Sequence, residues 1–216
     1  MRRIGRRVGI AYCLSLAAAL VLGPPAVAAQ GAAPEGGYGS LTQDQLAIRI
    51  RTADIDVRFV PLDPRVTRLL ARDSWLSLQR LVESRRRSID SVANIAGISA
   101  PGLALVSFFG QRENARFDPQ TLTVLVRGRE LRPLGIVPFS GRFNSQQLAV
   151  REQVSGIYLF EEELPVNDSF TLTYAGQTSD DWDKKQQVLN RERARVALRE
   201  RGSRPDTAGT AADSAR

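Results

Sequence analysis

The sequence predicts a mainly β protein: an antiparallel β-sandwich with a helical insertion at about 64–96 and a C-terminal helix at about 181–201. Three observations lead there. Residues 102–182 contain short apolar runs, such as 102–109, 121–127, 156–160 and 169–174, separated by turn residues at the spacing of an antiparallel sandwich. Residues 64–96 carry apolar side chains at helical rather than alternating spacing. The βαβ alternation of a parallel sheet is absent.

The N-terminus reads as an export signal. Arg2, Arg3, Arg6 and Arg7 form a basic start, residues 8–22 an apolar run, and Ala26-Val27-Ala28 a small-x-small cleavage site, so residues 1–28 are expected to be removed. The apolar run is shorter than the roughly 20 residues needed to span a bilayer. The formal net charge is +7, and four of those charges belong to the signal arginines, which leaves +3. That balance gives no support to nucleic-acid binding. Cys13, the single cysteine, lies in the signal, so the processed chain has no disulfide. The chain also has no histidine. Thiol nucleophiles, Ser-His triads and His-ligated zinc are thereby excluded.

Residues 29–40 are rich in Gly, Ala and Pro and read as a flexible linker. A β domain then runs from 41 to 182. Residues 46–51 and 55–60 alternate apolar and polar side chains, with Thr52-Ala53-Asp54 as the turn between two half-buried strands. Asp63 is a suitable N-cap and Pro64 a suitable first helical residue. Asp73-Ser74 divides the insertion into a short and a long helix, with Ser74 capping the second. Gly97 and Pro101 end it. Pro133 and Pro138 confine residues 131–139 to an edge strand or irregular structure. Residues 147–150 add a short strand, and the last strand ends near Tyr174. Residues 183–201 continue a charged helix that begins near Asp181, capped by Ser179-Asp180-Asp181. Its apolar stripe is thin: Trp182, Leu189 and Val196 recur every seven residues. Such a helix is either mostly solvated or in need of a partner. Residues 202–216 read as a disordered tail.

Four clusters were weighed for chemistry. Glu161-Glu162-Glu163 and Asp180, Asp181 and Asp183 offer hard oxygens for a cation, but the reading preferred is a solvated loop at a strand end for the first and helix capping by Asp180 and Asp181 for the second, since no spaced ligand loop accompanies the glutamates. Arg85-Arg86-Arg87 suits lipid headgroups or an acidic partner, against a solvated helix face with one arginine paired to Glu83 or Asp90. The aromatics Phe108, Phe109, Phe117, Phe139, Phe143, Tyr158, Phe160, Phe170 and Tyr174 suit a sugar-stacking platform, against a packed core. Phe108 and Phe109 face opposite ways on one strand. Both are buried only if the helical insertion covers the second face of the sheet.

The order Phe117-Asp118-Pro119 with Leu122, Gly128-Arg129, Arg132-Pro133-Leu134, Ile157-Tyr158-Leu159-Phe160 and Leu172-Thr173-Tyr174 resembles secreted bacterial proteins with immunoglobulin-like β-sandwich domains. The resemblance covers residues 102–176 and departs from that pattern at the 64–96 insertion. It implies an immunoglobulin-like fold with a role in binding or envelope assembly, and it carries over no catalytic residue.

The expectation is an exported, periplasmic or extracellular, non-enzymatic binding or accessory module of the cell envelope. No catalytic residue, cofactor or metal is assigned. An envelope protein is the expected partner, through the C-terminal helix, with membrane contact at most peripheral and no nucleic acid. The alternative is a carboxylate-dependent hydrolase of envelope glycans, which needs two carboxylates facing across a cleft.

Overall fold

The computed structural model describes residues 39–202. The expected signal segment, most of the linker and the tail beyond Gly202 lie outside them. The fold is mostly β, with antiparallel sheets and a C-terminal helix.

Strands β1 (Ile48–Arg51), β2 (Ile55–Pro61), β3 (Gly102–Gly110), β7 (Pro133–Pro138) and β9 (Gln153–Phe160) form a five-stranded sheet in the order β1-β2-β3-β9-β7. Strands β5 (Thr123–Val126), β6 (Arg129–Leu131), β10 (Thr171–Tyr174) and β11 (Gln177–Ser179) form a second sheet, ordered β11-β10-β5-β6. A two-stranded ribbon pairs β4 (Ala115–Arg116) with β8 (Gln147–Leu148). The proline-bounded β7 is an edge strand, as its sequence requires.

Alternation decides which side chains fill the core. Val57, Phe59, Val106, Phe108, Tyr158 and Phe160 of the first sheet and Val124, Leu172 and Tyr174 of the second join one buried cluster. Phe108 lies 5.6 Å from Tyr174 and stacks on Phe117 at 4.6 Å, linking the two sheets through aromatic contact. The Tyr158 hydroxyl donates to the Pro119 carbonyl at 3.0 Å, so β9 also holds the turn that feeds β5.

Several local expectations change. The first strand starts at Ile48, not 46. Thr42 and Gln45 form a capping box that turns α1 (Gln43–Leu46) into a helical turn, and this overrides the alternation of Leu46 with Ile48 and Ile50. The insertion contains three helices: α2 (Pro64–Thr67), α3 (Arg72–Ser84) and α4 (Arg86–Ile95). Asp63 caps α2 through the Arg65 amide, as expected. Ser74 caps nothing, because α3 already begins at Arg72. The unforeseen break falls at Arg85, whose guanidinium donates to the Phe139 carbonyl at 3.1 Å and lies over the Phe139 ring. Gly97 closes α4 with a φ of +71°, and Ile98 N–H donates to the Ala93 carbonyl in the paired-turn closure that such a residue permits. A hairpin through Ala175-Gly176 adds β11 after Tyr174.

Helix α4 covers part of the outer face of the five-stranded sheet. Its Ile89 and Ala93 pack on Val137, Ile157 and Leu159. Gly135 permits this close approach: a Cβ there would collide with the Val92 side chain.

Helix α5 (Asp181–Gly202) needs no second protein to fill its stripe. Trp182, Leu189 and Val196 are at most 1 % exposed and belong to the main core. Trp182 stacks on Phe170 at 5.1 Å. Polar side chains of α5 secure backbone carbonyls on either side. Gln186 donates to Val166 and Asp168, Arg193 to Val166, and Lys185 to Gln45. The buried Glu192 carboxylate accepts from the Ser40 amide at 2.9 Å and the Ser40 hydroxyl at 3.0 Å, and it pairs with Arg195. Among the described residues, no helix is long and apolar enough to cross a membrane.

Two outcomes follow for stability. Trp182→Ala removes the largest buried side chain and is expected to lose about 3–5 kcal/mol, whereas Leu198→Ala on the exposed side of α5 stays within about 0.5 kcal/mol in urea unfolding. Burial alone would raise the Glu192 pKa, but hydrogen bonds from Ser40 and Arg195 outweigh it and hold the carboxyl below its usual range. A depressed folded pKa stabilises above the unfolded value of about 4.3, and that contribution is lost as pH falls through the folded value. Stability of the native chain is therefore expected to decline below about pH 4.3, with a shallower acid limb in Glu192→Gln.

Candidate binding cleft

Most residues of the clusters weighed from sequence become paired or buried, while Asp183 and Arg87 stay exposed with no side-chain hydrogen bond or ion pair among the described residues. Glu161 and Glu162 face Arg129, and Glu163 faces Arg65. Asp180 and Asp181 pair with Lys184. Arg86 pairs with Asp90 along α4, and Arg85 is held at Phe139. Among the described residues, no group of three or more His, Cys, Asp or Glu side chains is arranged to hold a metal. Of the nine aromatics considered for a platform, seven are buried. Phe109 and Phe139 alone keep part of their surface accessible, and Phe139 lies beneath Arg85.

Two clefts lie at one end of the two sheets. One, of about 590 Å³, is lined by Arg116, Asp118, Thr121, Ser145, Gln146 and Gln147. A second, also about 590 Å³, is lined by Arg51, Thr52, Asp54, Arg112, Arg116 and Gln177. Both are lined by Arg116, Tyr174 and Ala175, which places Arg116 on the boundary the two clefts share. These volumes suit a small ligand or a segment of a larger one.

The groove is built by tight local structure. The β4–β8 ribbon pairs Arg116 with Gln147, and Phe117 N–H donates to the Gln146 carbonyl at 3.1 Å. Gln147 donates to Asn114 at 2.9 Å, tying the 111–114 loop to the 145–151 loop. Asn114, Gln146 and Arg151 on these loops have φ values of +55°, +51° and +62°, a left-handed conformation that side chains with a Cβ adopt at a cost. Two further left-handed residues, Arg127 and Ala175, each precede a glycine in a two-residue hairpin, which requires that geometry.

Among the charges that line these two clefts, one group stands unpaired. Arg112 forms a two-contact pair with Asp54 at 2.6 and 2.8 Å, and Arg51 pairs with Asp56 at 3.4 Å. Asp118 accepts from the Gln120 amide, capping its own turn. Arg116 makes no side-chain hydrogen bond or ion pair among the described residues. Tyr174 contributes an edge of the wall, and burial pushes its phenol up to about 12, so it stays protonated at neutral pH. Burial likewise raises Tyr158. The wall thus presents amides, hydroxyls and one uncompensated guanidinium, and each half of the groove carries a single carboxylate.

Comparison with protein families, curated proteins and solved structures finds no match for this chain.

Sequence reasoning passed over Arg116 because one arginine among 30 basic residues carries no mark of its own. Its lack of a partner becomes visible only once the other charges are placed. Arg116→Gln is expected to leave urea stability within about 0.5 kcal/mol of the native chain, since it breaks no contact. Tyr158→Phe, which strands the Pro119 carbonyl, is expected to lose about 1–3 kcal/mol.

Proposed function

We propose that this chain is an exported ligand-binding module of the bacterial cell envelope, and that it holds a polar, anion-bearing ligand in the groove centred on Arg116. The observation that carries this reading is the unpaired Arg116 guanidinium at the junction of two polar clefts. A guanidinium offers a planar fork of donors that matches a carboxylate, and such charge-assisted contacts contribute about 1.5–3 kcal/mol each. Gln146, Gln147, Gln177, Thr52, Thr121 and Ser145 supply further hydrogen-bonding groups around it.

Export rests on the basic and apolar N-terminal segment with its cleavage pattern. In this reading the two sheets form an immunoglobulin-like β-sandwich. Their shared core and antiparallel pairing support it, while the helical insertion between β2 and β3 sets it apart. A protein partner on α5 would have to read its solvated side, which carries Leu198 and several arginines, because the apolar stripe is already consumed by the chain itself.

The test is amide chemical-shift mapping of the processed protein with glucuronate, using glucose as the neutral control. Glucuronate is expected to shift residues 112–118, 145–147 and 175–177, with Arg116→Gln abolishing the effect. Shifts confined to other surfaces, or equal responses to both sugars, would overturn the assignment.

A further inference from the structure

A third cleft, of about 550 Å³, lies on the outer face of the five-stranded sheet and is lined by Arg49, Asp56, Arg58, Phe109, Gln111 and Arg151. It exists because α4 covers only part of that face. Strand register places three successive rows there: Leu105 with Ile157, then Ser107 with Ser155, then Phe109 with Gln153. Ile157 lies under α4, and the two serines hydrogen-bond to each other at 2.7 Å. Phe109, one row further, is left half-buried with part of its ring accessible.

Arginines frame that ring. Arg49 and Arg58 share Asp44, at 3.3 and 3.0 Å. Arg151 makes no side-chain hydrogen bond or ion pair among the described residues, and its left-handed backbone is held by donation of its N–H to the Gly110 carbonyl at 2.9 Å. This cleft adjoins the Arg116 groove. Arg51 lines one and its ion-pair partner Asp56 lines the other, while the chain continues from Gln111 in one to Arg112 in the other.

We infer that the three clefts form one trough for a linear acidic glycan, a chain of uronate-bearing sugars. The inference rests on the Arg116 reading and extends it. Arg116 and Arg151 each take a sugar carboxylate, the Phe109 ring stacks against a sugar face, and the glutamine and hydroxyl side chains between them read ring hydroxyls. Asp54 and Asp56 line the middle of the trough and oppose the dense phosphates of a nucleic acid, and a single aromatic is too few to stack successive bases.

The experiment is calorimetric titration of the full-length chain, expressed from its own N-terminus and recovered after processing. The probes are galacturonate, its linear trimer and its linear hexamer, with cellohexaose as the neutral chain and a twelve-nucleotide single-stranded DNA as the phosphate chain. Thermal melts verify that each variant is folded. The hexamer is expected to bind at least about tenfold more tightly than the monosaccharide, as joined subsites do. Arg151→Gln and Phe109→Ala are expected to weaken the hexamer alone, each by about tenfold, whereas Arg116→Gln weakens every uronate. A hexamer no tighter than the monosaccharide, with Arg151→Gln silent and Arg116→Gln still effective, overturns the trough and leaves the Arg116 cleft standing. No uronate binding at any length overturns both. Equal affinity for cellohexaose, or tighter binding of the DNA, overturns the acidic-glycan assignment.

Discussion

Docking of α5 is the interaction on which the described fold depends. Seven residues turn an α-helix through nearly two full turns, so Trp182, Leu189 and Val196 project as one narrow stripe. A helix this polar would not hold itself together in water, and packing has to supply its stability. Trp182 supplies bulk: its indole N–H is buried without a partner, so the ring stays for its size and its contact with Phe170. Glu192 adds specificity. It reaches the Ser40 backbone 152 residues away and fixes the beginning of the described chain against its end. Leu41 then bridges to Leu70, placing the first residues beside the α2–α3 junction.

With that side closed, the five-stranded sheet has a face left over. A short helix cannot cover a sheet nine residues long at β3, and α4 settles where Gly135 lets it come closest. The opposite end of the same face therefore carries charged and polar side chains with Phe109 among them. The same end holds the β1–β2 turn, the β4–β8 ribbon and the β10–β11 hairpin. Placing the proposed binding groove there follows from where the helices stop.

Much of the β framework was legible in the sequence. The alternation of 55–60, the prolines bounding β7 and the Asp63-Pro64 helix start all act through local backbone rules, so local reading found them. The failures share a cause. Leu46 continued an alternating pattern that the Thr42–Gln45 capping box interrupts. Arg85 breaks a helix where it meets Phe139, 54 residues away. The stripe on α5 looked underfilled because the loop carbonyls that its polar residues secure are distant in sequence. β11 lacks large apolar residues and left only its Ala175-Gly176 turn to notice. The groove was the least visible of all, since nothing in the sequence sets Arg116 and Arg151 apart from the other arginines.

The central claim is that the Arg116 guanidinium is left unpaired to receive a ligand anion, while neighbouring cations are neutralised by Asp54 and Asp56. The most direct measurement is a crystal structure of the chain soaked with trigalacturonate. The account expects a sugar carboxylate within hydrogen-bonding distance of both terminal nitrogens of Arg116. A trisaccharide seated elsewhere, or a groove left unoccupied at saturating sugar, would contradict it.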